Sequence, residues 1–223
     1  ETSYVVLRDD DGTLSEAVPI GTNSAGVLTF DDFDVTPGQG WWYWVVASNA
    51  YGGNASSGDL GYAAMAAVAN VQATDGAHLD RVAVTWNDLD GGETGYAIWR
   101  AESNDTAAAA CLGDAGAEDT LFDDYDASPG QQYWYWVRAT NETSQGQGPW
   151  GTANDGYRKL AVVQDVVATS NTYDSMVQVV WSDGEGETGY TVWRNTANNT
   201  GGAVNIATVA AETTSYDDTN ATT

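Results

Sequence analysis

One property of this sequence limits its fold more than any other: it repeats itself every 92 to 95 residues. The segment ETSYVVLR at Glu1–Arg8 returns as ETGYAIWR at Glu93–Arg100 and as ETGYTVWR at Glu187–Arg194. DDFDVTPGQGWWYWVVASN at Asp31–Asn49 returns 92 residues later as DDYDASPGQQYWYWVRATN at Asp123–Asn141. VQATDG at Val71 and VAVTW ending at Trp86 return 95 residues later as VVATSN at Val166 and VQVVW ending at Trp181. A period of this length marks a recurring small domain, so the repeat sets the domain count and chain length does not.

Residues 65–159 form one complete unit, 1–64 the C-terminal part of a preceding one, and 160–223 the N-terminal part of a following one. The first unit enters after its opening two strands, and Thr223 aligns with Pro129, ahead of the last two. The expectation is a window on a longer array. The sharper alternative is that a neighbouring chain supplies the absent strands, because open sheet edges invite strand addition.

Within each unit, short alternating runs rich in Val, Thr, Tyr and Trp are broken by Gly, Pro, Asn and Asp, the signature of strands joined by turns. Aromatic residues make up 11% of the chain and glycines number 25, and no segment carries the pattern of a long amphipathic helix. The expected fold is all-β, with each unit the size of a small β-sandwich.

A Trp closing the second strand, a Gly-Tyr-aliphatic third strand and Pro-Gly-x-x-Tyr-x-Tyr-x-Val near the end together resemble the fibronectin type III module, an immunoglobulin-like sandwich, over essentially the whole chain. The resemblance implies that Trp86 and Trp181 plug the cores between the sheets. It also implies that Tyr133, four residues after Pro129, forms a tyrosine corner. In the first copy Trp41 stands four residues after Pro37, so an indole N–H takes the place of the phenol. Such modules serve as spacers, adhesion units and enzyme appendages alike, so the fold leaves function open.

Strand parity adds a reading of the faces. If Tyr133, Tyr135, Val137 and Ala139 point inward, the period of two sends Trp134, Trp136 and Arg138 outward. Tyr96 and Ile98 likewise point in, leaving Ala97 and Trp99 outside. The first copy then offers Val5, Leu7, Trp42, Trp44 and Val46 on that face, and the third keeps Trp193. Burying one Trp is worth about 2 to 3 kcal/mol, so these rings are expected to have a cover. Three covers stand open: Arg stacking on Trp within a unit, a neighbouring module or subunit, and a sugar ring on the indole. In the first copy Val46 replaces Arg138, which favours protein–protein packing there.

Charge excludes one class of partner. With 32 acidic residues against 7 basic ones, a formal charge of -25 and Lys159 as the single lysine, the chain lacks the clustered cations that phosphate binding needs. The acidity fits either a salty, cation-rich setting or simply a soluble surface. Cys111 is alone, so no intrachain disulfide forms, and its expected place is as a buried small hydrophobe. His78 is also alone and reads as a turn residue. No apolar run approaches the ~20 residues of a membrane-spanning helix.

Acidic clusters recur at Asp31, Asp123 and Asp217, where calcium would be the cofactor to consider. None completes an EF-hand spacing, and Asp is equally a turn former. Asn-x-Ser/Thr sequons stand at Asn54, Asn104, Asn141, Asn198 and Asn220. With one His, one Cys and no nucleophile elbow or metal-spaced pair, catalysis has little to work with. The leading expectation is a non-catalytic, extracellular or cell-surface fibre, filament or array subunit, its linkers too short for free swivelling and its partners copies of itself. The alternative is a set of adhesive or carbohydrate-binding modules attached to a larger secreted enzyme, with glycans as partners.

Overall fold

A computed structural model describes residues 1–142 and 146–221. The first repeat contributes β1 (Ser3–Asp9), β2 (Val18–Ser24), β3 (Gly40–Asn49), β4 (Gly52–Ala55) and β5 (Asp59–Tyr62). The middle repeat contributes β6 (Gln72–Ala73), β7 (Val82–Thr85), β8 (Gly95–Ala101), β9 (Ala110–Gly116), β10 (Leu121–Asp124), β11 (Gln132–Asn141), β12 (Gly146–Gln147) and β13 (Asn154–Tyr157). The third contributes β14 (Val167–Ala168), β15 (Val177–Val180), β16 (Gly189–Arg194), β17 (Val204–Ala210) and β18 (Ser215–Asp218). One short 3-10 turn, Thr106–Ala108, is the helical element among the described residues. The chain is all-β, built of antiparallel sheets that recur with the sequence repeat.

The chain divides into two compact units. The first comprises Glu1–Val71, Thr85–Phe122 and Tyr135–Ala153; the second comprises Gln72–Val84, Asp123–Trp134 and Asn154–Thr223. Strands of the middle repeat thus enter both units.

In the first unit, one sheet runs β2-β1-β3-β4, with β5 also on β3. Register places Val5 opposite Val46 and Leu7 opposite Trp44 on one face, and Val6 opposite Val45 and Arg8 opposite Tyr43 on the other. The sheet β12-β11-β8-β9 has the same order for its first-unit strands.

The second unit contains a sandwich in miniature. Sheet β14-β15-β18 and hairpin β16–β17 meet over Trp181, Tyr190 and Val192, with Val179, Ile206, Val209 and Tyr216 packed around them. A β-bulge falls at the same place in each repeat's hairpin, between Val6 and Leu7, Ile98 and Trp99, and Val192 and Trp193. A bulge re-aims the side chains that follow it, so the residue after each one is set by backbone irregularity as well as by parity.

Cys111 departs from its expected burial. It is exposed on β9, the edge strand beside β8, opposite Trp99 at the bulge. An edge position gives its side chain solvent on one flank, which periodicity alone did not disclose.

Candidate functional site

Three constructions recur: an aromatic core contact, an ion pair and a backbone joint between repeats. In the core, the rings of Trp86 and Tyr96 lie 5.4 Å apart at 58°, and Trp181 and Tyr190 repeat both values. Tyr96 donates its hydroxyl to Asp88 at 2.6 Å and accepts from the Leu89 amide at 2.9 Å. Tyr190 does the same with Asp183 and the Gly184 amide, both at 2.7 Å. Each Trp-x-Asp segment therefore satisfies the hydroxyl of the tyrosine that its own Trp packs against. Burial, reinforced by the bond to Asp183, pushes the Tyr190 hydroxyl up to about 12. Tyr96 moves the same way for the same reasons, burial first and then the bond to Asp88.

The ion pair escaped sequence reasoning. Arg8 donates to Asp32 at 2.8 Å, and Arg194 to Asp218 at 2.7 Å, both 24 residues apart in sequence. Arg100 and Asp124 stand at the same spacing, with Asp124 buried. The fixed spacing between the ETxYxxxR arginine and the second Asp of each acidic cluster was the available signal. Tyr43 also donates to Asp32, at 3.0 Å, and burial with that bond raises its hydroxyl to about 12. Desolvation works to raise the Asp32 carboxyl, but bonds from Arg8, the Asp34 amide and Tyr43 outweigh it and hold it below its ordinary value.

Asp123 is 3.0 Å from Arg81, Asp217 accepts from Gln178, and Asp31 is exposed. The acidic group that the described residues do bring together is Asp183, Glu187 and Glu212. Repulsion from Asp183, with a hydrogen bond to it, raises the Glu212 carboxyl above its usual range.

The Trp-bearing face has a cover made by the chain itself. In the middle repeat Trp150, on the segment after β12, meets Trp99 edge-on at 5.3 Å and Trp136 at 6.2 Å. The Arg138 guanidinium lies 4.4 Å over the Trp150 ring and donates Nε to the Gly148 carbonyl at 2.8 Å. Burial lowers the Arg138 pKa. Trp136 is consequently buried, while Trp99 and Trp134 are half-buried.

In the first repeat the same strap passes over Trp44, tied to β3 by Val45 N–H to Ser56 Oγ at 3.0 Å and Ser56 N–H to the Val45 carbonyl at 2.9 Å. Gly58, 92 residues before Trp150, lies so near that a Cβ there would stand 2.7 Å from Trp44 Nε1. Trp44 is buried and stacks at 6.5 Å on half-buried Trp42; Val5, Leu7 and Val46 are half-buried. Parity assigns a side to each residue and leaves open which of three covers lies over it; here chain of the same repeat returns over the rings. Trp193 is 58% exposed, with its indole N–H donated to Thr191 Oγ1.

At the corner positions, Tyr133 is buried, whereas the Trp41 indole N–H is buried without a hydrogen-bond partner and the Arg8 guanidinium lies 4.1 Å over its ring. At the Trp41 corner the ring is met by a cation–π contact rather than by a hydrogen bond to its indole N–H.

The joint between repeats is made of backbone. The Pro37-Gly38 turn docks on Gly92, and a Cβ at Gly92 would overlap the Pro37 carbonyl oxygen. Pro129-Gly130 docks on Gly186 in the same way. Both Gly92 (φ 97°) and Gly186 (φ 80°) are left-handed, so side chains are excluded twice over. Gly38 N–H donates to the Ala63 carbonyl at 2.8 Å and Gly130 N–H to the Arg158 carbonyl at 3.0 Å, anchoring each turn to the linker that follows its repeat. Asn141 closes the first joint by donating its side-chain nitrogen to the Gly92 carbonyl.

That bond corrects one sequon: the Asn141 amide nitrogen is buried and engaged, so it is not a glycan acceptor. Asn54, Asn104, Asn198 and Asn220 are exposed. Thr143 and Thr222, the hydroxyl residues of the Asn141 and Asn220 sequons, lie outside the described residues, as does Thr223 at the end of the third span. His78 is half-buried in its turn, its carbonyl accepting from the Lys159 amide.

No protein-family profile matches this chain, and no curated protein matches it. Among solved structures it is similar to the FN1–FN3 domains of chicken CNTN1, at 16% identity and a TM-score of 0.37, covering 98% of this chain and 79% of that one. It is similar to a Fn3-like protein from Clostridium thermocellum at 20% identity and a TM-score of 0.37, covering 45% of this chain and all of the other. It is also similar to pectate lyase Pel3 from Pectobacterium carotovorum at 19% identity and a TM-score of 0.35, covering 40% of this chain and 27% of that one.

Proposed function

We propose that this chain is a non-catalytic structural array of an extracellular or cell-surface protein, in which stacked sandwich repeats hold a fixed spacing and further copies meet them side by side. The observation that carries this reading is the repeated Pro-Gly-on-Gly joint. A joint in which a turn seats against backbone, twice, with no room for a side chain, restricts swivelling far more than a short linker does alone. Rigid spacing of identical units is what a fibre or surface array requires.

Contact between copies is assigned to the third repeat. Trp193 and Val204, on the paired strands β16 and β17, are 58% and 62% exposed there. Apolar surface of this kind marks interaction sites. Sedimentation velocity tests it: the protein is expected to self-associate with rising concentration and Trp193→Ser to weaken that association. Monomers throughout for both proteins would remove the assembly claim.

The exposed Trp193 indole also favours a second reading, in which a sugar ring stacks on it and the array is an adhesive or carbohydrate-binding accessory of a larger secreted enzyme. Fluorescence titration with polysaccharides separates the two. A saturable quench that Trp193→Ser abolishes, without self-association, selects the glycan reading.

A further inference from the structure

We propose that Asn104 and Asn198 are acceptor sites for N-linked glycans, one on the β8–β9 hairpin and one on the β16–β17 hairpin. The proposal takes its setting from the extracellular role proposed above and concerns a surface that role does not use.

The two hairpin loops match position by position. Arg100 and Ala110 close the first and Arg194 and Val204 the second, so the loops are equal in length. Their flanking residues differ: Ala-Glu-Ser against Asn-Thr-Ala before the asparagine, and Ala-Ala against Gly-Gly after the threonine. Asn104-Asp105-Thr106 and Asn198-Asn199-Thr200 nevertheless fall 94 residues apart, the period of the strands beside them. The middle repeat, with strands β6 to β13 all in place, leaves Asn104 as open as Asn198.

The backbone repeats as well. The Asp105 amide donates to the Ser103 carbonyl at 2.7 Å, and the Asn199 amide to the Ala197 carbonyl at 2.8 Å. A bond reaching back over one residue closes a γ-turn, and in both loops the asparagine stands at its tip. Downstream, the Ala109 amide donates to the Thr106 carbonyl and the Ala203 amide to the Thr200 carbonyl, both at 3.3 Å. One local shape holds both tripeptides although the residues around them have changed.

Acceptor chemistry needs this presentation. A carboxamide nitrogen is a weak nucleophile because its lone pair is spread into the carbonyl, so a transferase has to enclose the side chain and grip the hydroxyl two residues on. The tripeptide must therefore stand clear of the sheet with both side chains unengaged. Asn104, Thr106, Asn198 and Thr200 are all exposed. The loops are braced by other side chains: Asp105 accepts from the Ala107 amide at 2.9 Å, and Asn195 donates to the Asn199 and Gly201 carbonyls at 2.9 and 3.1 Å. Attaching a glycan costs neither brace.

Other sequons lack this presentation. Asn141 is buried on Gly92. Asn54 lies within β4, in register with Ala47 on β3, and the hydroxyl of its Ser56 already bonds the Val45 amide and the Ser57 carbonyl. In the first repeat's own hairpin, Gly12 and Leu14 stand where the asparagine and threonine would be, counted from Arg8.

In the transfer, Asn Nδ2 bonds to the anomeric carbon of an oligosaccharide carried on an isoprenoid pyrophosphate. The bond from that carbon to the pyrophosphate oxygen breaks, the pyrophosphate leaves with the electron pair, and Nδ2 gives up one proton.

The test incubates the folded full chain with a purified oligosaccharyltransferase and such a donor, and reads intact mass and site-resolved mass spectra. Expected is a gain of two glycans, on Asn104 and Asn198. Asn104→Gln and Asn198→Gln should each lose one; Thr106→Val should lose the Asn104 glycan while Thr106→Ser keeps it. All are exposed loop positions, and circular dichroism of each variant checks its folding. No transfer to the folded chain while a short Asn-x-Thr peptide is modified in the same mixture would overturn the inference. So would glycans added as readily to Asn54 or Asn141. No cell takes part in the assay, so the acceptor sites and the surface placement of the chain fail separately.

Discussion

Gly92 stands against the carbonyl oxygen of Pro37 with no space for a β-carbon, and Gly186 stands in the same relation to Pro129. Two repeats with different surrounding residues have arrived at one backbone contact, and both glycines hold a left-handed φ that other residues adopt only at a cost.

Gly92→Ala and Gly186→Ala should therefore each open a joint. Strain at positive φ and the overlap with the proline carbonyl together are expected to cost about 2 kcal/mol or more. Urea unfolding reads the loss, and backbone relaxation should show faster independent tumbling of the freed repeat. Ala at Gly26, which is also left-handed but has nothing near it, separates the two contributions because it meets the strain alone.

Trp150→Ala should uncover the middle repeat's outer face. Trp99 and Trp136 lose their edge-on partner and Arg138 loses the ring beneath it. A loss of about 3 kcal/mol is expected, as for truncation of a large packed aromatic, with new binding of an apolar dye. Dye binding unchanged from the parent would show that the strap is not what covers these rings.

Acid should weaken the first repeat through Asp32. Its folded pKa is depressed, so the stability it contributes is present above the unfolded value and is lost as pH falls through the folded one. With the unfolded value near ~3.9, that window lies below about pH 4. Arg8→Gln should return the Asp32 titration toward its ordinary range, as followed by carboxyl NMR.

Glu212 should act in the opposite sense. Its folded pKa is raised from 4.5 by Asp183 and Glu187, so the native third repeat binds that proton more tightly than the unfolded chain does. The stabilisation is present below the ordinary glutamate range and is lost as pH rises through the raised value. Glu212→Gln is expected to stabilise the repeat at neutral pH and to flatten this part of the pH profile.

Salt should stabilise the whole chain. A formal charge of -25 makes the compact state self-repulsive, and the repulsion is screened over ~10 Å at 0.1 M ionic strength and ~3 Å at 1 M. The melting temperature is expected to climb between 10 mM and about 1 M sodium chloride, a range over which the screening length falls roughly tenfold.

The aromatic residues of the candidate site were legible by repetition: Trp86 and Trp181 are buried, each against the tyrosine of its Gly-Tyr-aliphatic strand. Other parts were written in the chain but needed a partner to be read. The 24-residue spacing from Arg8 to Asp32 and from Arg194 to Asp218 looks like nothing until both ends are seen to meet. Asn141 reads as a glycan acceptor in one dimension and as a buried clamp on Gly92 in three.

By itself, the sequence determined the period, the strand character of each segment and which side chains share a side of a strand, because these follow from local geometry and from self-comparison. The tertiary structure alone decided whether an outward ring meets water. Trp44 and Trp136 are buried, although parity turns both toward the outer side of their sheets. Chain returns over both from outside the strands that carry them, and such long-range contacts leave no periodicity behind in either segment.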